Sequence, residues 1–342
     1  MRMKKLMLFA VAALALASCS KTFDTGKSEG SAIGFGTWAE TLTKARAAGA
    51  STFVSGDSFN VEGFKTLAGS PVTVFDDVAV NYDGTNWTYT NTRFWDSNAT
   101  SYTFFAVSNP TTALTFAADG TIAATAVTFA GNNNDILLAN SVEVLPANYK
   151  SNVPVALVFK HIGSLVDLKV KKSAGLNTAN ATVAIAAVSL EKIDGAGKVA
   201  VTGYSTNVPT VAWTELDGNT TYTNASGVTP VETLPTNVGT TGDNLINTLV
   251  VIPQTLADTK ILKISYTITD AAGTVNTFTN TEIKLNQFDK TDDTDNTTPF
   301  ITGWEAGKHY VYTLTIDANT INFTGSITDW DTAINGYNYL VQ

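Results

Sequence analysis

Apolar and polar residues alternate with a period of two along much of the chain. Tyr102, Phe104 and Ala106 alternate in SYTFFAVSNP, and Val155, Leu157 and Phe159 in VPVALVFKH. Val166, Leu168 and Val170 do so in LVDLKVKK, and Leu262, Ile264, Tyr266 and Ile268 in ILKISYTITD. Tyr310, Tyr312, Leu314 and Ile316 repeat the pattern in HYVYTLTID. Each run is short and closes on turn residues such as DG, NP, AG or DAAG, the signature of strands with one buried face. Thr and Val, abundant here, are stiff at χ1 and favour a pleated surface. Apolar residues at helical spacing are scarce. Strands this dense, without helical spacers, predict an all-β chain of antiparallel sandwiches rather than βαβ units.

The alternation stops at KKSAGLNTAN, residues 171–180, and resumes at TVAIAAVSLEKI. About 296 residues follow Arg46, enough for two domains of ordinary size. The expected division is therefore an N-terminal sandwich over 47–175 and a C-terminal one over 176–342. The polar stretch from Thr214 to Asn244 reads as long loops or short exposed strands.

The first residues have a separate logic. Arg2, Lys4 and Lys5 precede an apolar run from Leu6 to Leu16, too short for a permanent membrane span. Then comes LASC, with Cys19 the only cysteine in the chain. This is the pattern of a bacterial lipoprotein signal over 1–18, with Cys19 the acylated residue; two or three acyl chains give stable attachment to a membrane. The alternative is an ordinary secretory signal with an incidental cysteine, but the box sits where cleavage should fall. The body has no other cysteine, so an apolar core rather than disulfides must stabilise it. Within the 19–46 segment, SAIGFGTWA alternates Ile33, Phe35 and Thr37 and predicts a short first strand.

Charge is divided unevenly. Residues 1–46 hold seven Lys and Arg against three Asp and Glu, a net of +4; the remainder holds fourteen against twenty-seven, a net of −13. An acidic body argues against nucleic-acid binding, which needs a basic face. Arginine is scarce: Arg2, Arg46 and Arg93, beside eighteen lysines. Arg46 lies in TLTKARAAGA, a polar stretch without apolar anchors. Arg93 lies in TNTRFWD, at the edge of predicted structure.

Little in the sequence carries chemistry. His161 and His309 sit beside or within apolar runs and read as hydrogen-bonding strand-end residues. No nucleophile motif, phosphate loop or zinc spacing is present, so no catalytic residue, cofactor or metal ligand is assigned. The acidic stretch DKTDDTDN offers Asp289, Asp292, Asp293 and Asp295 to calcium. It lacks the glycine and glutamate of an EF-hand loop and reads as a solvated hairpin loop. Trp87, Phe94 and Trp95 could stack on sugars, though sandwich cores use the same residues. A glycan-acting enzyme is therefore the weakest class. At the C-terminus, after ITDW, the chain continues DTAINGYNYLVQ. Tyr337, Tyr339 and Val341 share one face, with Ile334 further up, so 334–342 reads as an apolar strand without obvious protection, as a last edge strand of its own domain, or as a disordered tail.

Several stretches in order are similar to one family: the lipoprotein box, an arginine-bearing linker, FWDSNATSYTFFAVSNP, LVFKHIGSLVDLKV, LVVIPQTL and WEAGKHYVYTLTIDANTINFTGSITDW. The chain resembles the Bacteroidales fimbrillins, the subunits of type V pili, over nearly its whole length. The resemblance implies two transthyretin-like sandwich domains and a route of assembly. The precursor reaches the outer membrane through lipid on Cys19. An arginine-specific protease cuts between Arg46 and Ala47, which removes the lipid and the first strand and opens a groove in the N-terminal domain. A strand from another subunit fills that groove, with Ile334, Tyr337, Tyr339 and Val341 as the donor residues. The implied partners are other fimbrial subunits, including tip and anchor proteins, and the implied place is the cell surface. A tip or anchor subunit, or a lipid-tethered adhesin, is the alternative.

Overall fold

The computed structural model describes residues 30–36, 55–108, 113–129, 135–150, 153–223, 243–290, 300–318 and 321–330. Strand follows strand through nearly all of them. The one α-helix among the described residues, Ala174–Thr178, falls where the alternation stops. Ser173 caps it, its Oγ accepting from the Leu176 N–H at 3.1 Å.

The first half is built on one large sheet. Its order is Phe159–His161, Leu137–Ala139, Ser101–Ser108, Ser58–Leu67, Ser70–Tyr82, Trp87–Thr88, with Val142–Val144 also paired to Ser101–Ser108. Alternation in Ser101–Ser108 sends Tyr102, Phe104 and Ala106 into one core and Phe105 and Val107 into another. Both faces of this sheet are therefore covered, which explains the near-continuous apolar run in YTFFAV.

The second half is a sandwich of two sheets. The five-stranded sheet runs Asp243–Val251, Ser164–Lys172, Lys308–Ile316, Ile321–Asp329, Asp289–Lys290. The four-stranded sheet runs Thr220–Thr223, Thr182–Ile193, Ile261–Thr269, Val275–Lys284. Their inner faces meet in a core that includes Val166, Leu168, Val170, Leu262, Ile264, Tyr310 and Tyr312. Most pairs are antiparallel, but Ser164–Lys172 runs parallel to Lys308–Ile316, from Leu165 opposite His309 to Lys172 opposite Ile316. Parallel neighbours need a long crossover, and here the whole four-stranded sheet lies between them in sequence. Both partners of Ser164–Lys172 belong to the second half. A division after residue 175 would cut this strand from both.

The halves also share a sheet. Ile122–Thr128 from the first pairs with Ala196–Ser205 from the second, which pairs onward with Val208–Thr214. Under it lies a third core, where Phe105 and Val107 meet Val199, Val201, Val250 and Trp330. Several of the motifs that carry the family resemblance meet at or beside this seam. His161 of the FKH stretch pairs through Nδ1 with Asp135 Oδ1 at 2.7 Å, and its ring stacks on Trp330 of ITDW at 3.5 Å. Gly307 of WEAGK donates its N–H to Gly163 O at 2.8 Å and accepts at its own carbonyl from the Trp330 N–H at 2.6 Å. Ser164 Oγ donates to Glu305 O at 2.7 Å. Within the same WEAGKHYVY run, Trp304 Nε1 donates to Tyr312 Oη at 2.7 Å, and the Glu305 N–H to Tyr310 Oη at 2.9 Å. Gln254 of IPQTL accepts from the Asp194 N–H and donates to the carbonyls of Asp194 and Ile252. Beside it, Lys260 and Asp194 form a buried ion pair at 2.6 Å.

Candidate functional site: the groove filled by residues 30–36

The predicted first strand lies inside the N-terminal half. Ile33 and Phe35, two residues apart, point the same way and are 2% and 6% exposed. Phe35 is ringed by four aromatic side chains, with centroids 5.2 Å from Phe75, 5.7 Å from Tyr89 and Phe104, and 6.1 Å from Phe59. All four contacts are edge-on, the arrangement that aromatic quadrupoles favour. Thr37, the third residue of the expected strand, lies outside the described residues.

Two backbone edges hold the segment, one after the other. Its first part meets 93–95 in antiparallel fashion: Ala32 bridges Phe94, the Ile33 N–H donates to Arg93 O at 2.9 Å, and the Trp95 N–H donates to Ser31 O at 2.9 Å. Its second part runs parallel to Val155–Ala156, whose side contributes Val155 N–H to Gly34 O at 2.8 Å and Leu157 N–H to Gly36 O at 3.2 Å. Tyr89 Oη closes the middle by donating to Ile33 O at 2.7 Å. The same oxygen accepts from the Arg93 N–H at 3.2 Å, and burial pushes the phenol's pKa up, so it stays a donor.

Arg93 frames this groove. Its guanidinium lies 5.1 Å from the Phe75 ring centroid and 6.0 Å from that of Tyr89. It donates to three carbonyls, those of Val74, Thr90 and Asn91. The planar fork of arginine suits this; a lysine ammonium does not. The groove floor is therefore Phe59, Phe75, Tyr89 and Phe104, and its rims are 93–95 and 155–157. A cavity of about 250 Å³, lined in part by Trp95, Val144, Val153 and Val155, adjoins the second rim.

Cys19, Arg46, Ala47, Ile334, Tyr337, Tyr339 and Val341 lie outside the described residues. Of DKTDDTDN, Asp289 and Lys290 form a short strand parallel to Thr324–Gly325, and 291–299 lie outside the described residues. His309 Nε2 meets Asp167 Oδ2 at 2.9 Å across the parallel pair, so both histidines face a carboxylate. Trp87, Phe94 and Trp95 make no common platform. Trp95 is buried and stacks on Tyr149 at 4.8 Å, Trp87 packs between Phe59 and Tyr82, and Phe94 is 47% exposed. The sequence reading found the inward residues of the strand but missed its receptors Tyr89, Arg93 and Val155. The apolar and aromatic spacing of NWTYTNTRFW was the available signal.

The comparisons decide the family. The model of a family described as fimbrillin-like matches residues 43–330. The chain belongs to the fimbrillin-like family. Among solved structures, a fimbrial protein from Bacteroides vulgatus is 18% identical with a TM-score of 0.50, covering 80% of this chain and 92% of that one. The tip fimbrial protein Mfa3 from Porphyromonas gingivalis, with a C-terminal truncation, is 11% identical with a TM-score of 0.39, covering 84% of this chain and 97% of that one. No curated protein matches the sequence. The all-β sandwich architecture and family membership agree, and membership in this family makes the chain a fimbrial or adhesion subunit of the cell surface.

Proposed function

We propose that this fimbrillin-like chain is a non-enzymatic structural subunit of a fimbrium, exported as a lipoprotein acylated on Cys19 and tethered to the outer membrane. An arginine-specific protease cuts it between Arg46 and Ala47. It then polymerises by accepting a strand from another subunit, and the fibre supports adhesion. One observation carries this reading. The segment that fills the aromatic groove precedes Arg46 in sequence, while every wall of that groove follows it. A cut at Arg46 severs the covalent link between the plug and its socket and leaves unpaired backbone on both rims, which invites strand addition.

The energetics fit a plug that a cut can release. Five hydrogen bonds hold it, at roughly 1 kcal/mol net each. Burying Ile33 and Phe35 adds about 1.5–3 kcal/mol each. Ordering seven described residues costs about 1–2 kcal/mol apiece. Gain and cost are each on the order of 10 kcal/mol, so covalent attachment decides whether the strand stays.

The test is the N-terminal residue and mass of the protein isolated from cells, with unheated and heated denaturing gels of the envelope. A start at Ala47 and a heat-sensitive high-mass ladder are expected, and Arg46→Ala should give a lipid-tethered monomer. A lipidated Cys19 start in the unsubstituted protein would point to an anchor subunit, and the absence of any ladder would remove the polymer.

A further inference from the structure

The groove imposes a register on whatever strand replaces residues 30–36. Resting on the donated-strand reading, we infer that the incoming segment is 336–342 of a second copy of this chain, with Gly336 in the place of Gly30, Tyr339 in that of Ile33 and Val341 in that of Phe35.

The constraint begins at Gly30. A Cβ built there would lie 1.8 Å from the carbonyl oxygen of Trp95 and 2.8 Å from its carbonyl carbon. Both are backbone atoms of the first rim, which the hydrogen bond from Trp95 N–H to Ser31 O holds in place. A strand on the same path therefore needs glycine three residues before its first inward side chain and five before its second. The stretch after Trp330 contains one glycine, Gly336. Three residues on is Tyr339, and five on is Val341.

The other positions agree. Leu340 takes the place of Gly34, where an added Cβ meets nothing within 4 Å. Asn338 takes the place of Ala32, opposite the exposed Phe94. Gln342 takes the place of Gly36, where the ring of Pro154 lies 2.9 Å from an added Cβ and must shift. Moving the tail by one residue puts Asn338 or Leu340 inward and a residue with a Cβ against Trp95 O. Moving it by two, so that Tyr337 and Tyr339 point inward, puts Ile334 there. Steric exclusion at one end and apolar periodicity at the other thus select the same register. The exchange is uneven: a larger side chain enters the Ile33 pocket and a smaller one the Phe35 pocket.

Cysteine pairs in the full chain test this. Cys19 is the only native cysteine; it leaves with the leader on cutting or is acylated, so introduced pairs report alone. Ala32→Cys with Phe94→Cys, in an Arg46→Ala background, is the control and should close within one subunit. In cells assembling the cleaved protein, Phe94→Cys with Asn338→Cys should give an intersubunit disulfide ladder on unreduced gels. Pairing 94 with 336 or 340 should not. Gly336→Ala, in a segment outside the described core, should weaken the ladder about tenfold or more, while Leu340→Ala leaves it intact. A ladder locked from 336 or 340, or an undiminished ladder in Gly336→Ala, overturns the register and leaves donation standing. A polymer in which no tail position reaches 94 overturns donation into this groove, and the register with it. Absence of polymer from the unsubstituted chain removes the reading on which the register rests.

Discussion

Replacing Phe35 by Ala in the uncut chain separates two views of residues 30–36. If the strand is an integral part of the first half, the cost should be spread over the whole body. If it is a removable plug, only the plug should let go. Truncating a buried Phe costs about 3–5 kcal/mol. Phe35 is 6% exposed and touches four rings, so the upper part of that range applies. The docking balance lies within a few kcal/mol of zero before the tether is counted. The substitution therefore exceeds what docking can lose, and the loss is capped at the free energy of docking itself. Native-state hydrogen exchange reads this directly. The amides of Ile33, Trp95, Val155 and Leu157 donate across the plug; in Phe35→Ala they should exchange faster by up to about a hundredfold, which corresponds to roughly 3 kcal/mol, the most that docking can lose. Amides inside the Ser58–Leu67 and Ser101–Ser108 strands should keep their protection, and the melting transition should move little. If all these amides speed up together and the whole half melts earlier by the full Phe→Ala cost, the strand is core and the plug argument is wrong.

Three further outcomes follow from other parts of the molecule. Burial raises the Glu62 carboxyl from 4.5 to about 7, with Asp76 and Asp77 adding to the rise and the Asp77 N–H opposing it. The folded chain then holds a proton that the unfolded chain has released, so stability falls as pH rises from 4.5 towards 7. Glu62→Gln should leave urea unfolding unchanged at low pH and stabilise by up to about 3 kcal/mol at pH above 7; equal effects at both ends would refute the burial of charge. Lys260→Met should cost about 3–5 kcal/mol by stranding the Asp194 carboxylate, and adding Asp194→Asn should recover most of it in a double-mutant cycle. Brief digestion of the native uncut chain with an arginine-specific protease should yield one cut, after Arg46, with Arg93 spared; N-terminal sequencing of the fragments would show a second start at Phe94 if the guanidinium contacts give no protection.

Alternation made the strands legible because one face of each is buried. It located Ile33 and Phe35, and it located Val166, Leu168 and Val170. It could not say which neighbours those strands take. Ser164–Lys172 reads as the close of the first half because the alternation ends after it, yet its partners come from 243–251 and 308–316. Pairing over such separations depends on which faces fit in three dimensions, and a period of two does not encode that. Asp135 and Asp167 were equally silent: each becomes a histidine's partner only once distant strands are set side by side. Most of the motifs that carry the resemblance turned out to be joints: FKH, IPQTL, WEAGK and ITDW hold the seam and the second sandwich together. FWDSNATSYTFFAVSNP instead supplies the 94–95 rim and Phe104 of the groove floor.

That division has a consequence for arginine. After residue 18 the sequence has two arginines, Arg46 and Arg93, among many lysines. Arg93 is required where it stands, because its fork reaches three carbonyls while its face rests on Phe75 and Tyr89. Its own carbonyl is also taken, by the Ile33 N–H of the plug. A protease must draw an extended segment of several residues into its cleft, and at 91–95 that would mean breaking both the guanidinium contacts and the rim. Elsewhere the body uses lysine for its ion pairs, at Lys65, Lys198, Lys260, Lys263, Lys284 and Lys308. Lysine makes these pairs as well as arginine would, since none of them needs a planar fork. The chain thus spends arginine where its geometry has no substitute and leaves one other, in TLTKARAAGA. On the proposed reading, an arginine-specific enzyme that spares Arg93 is left with Arg46, and the bond after it joins the plug to the groove it fills.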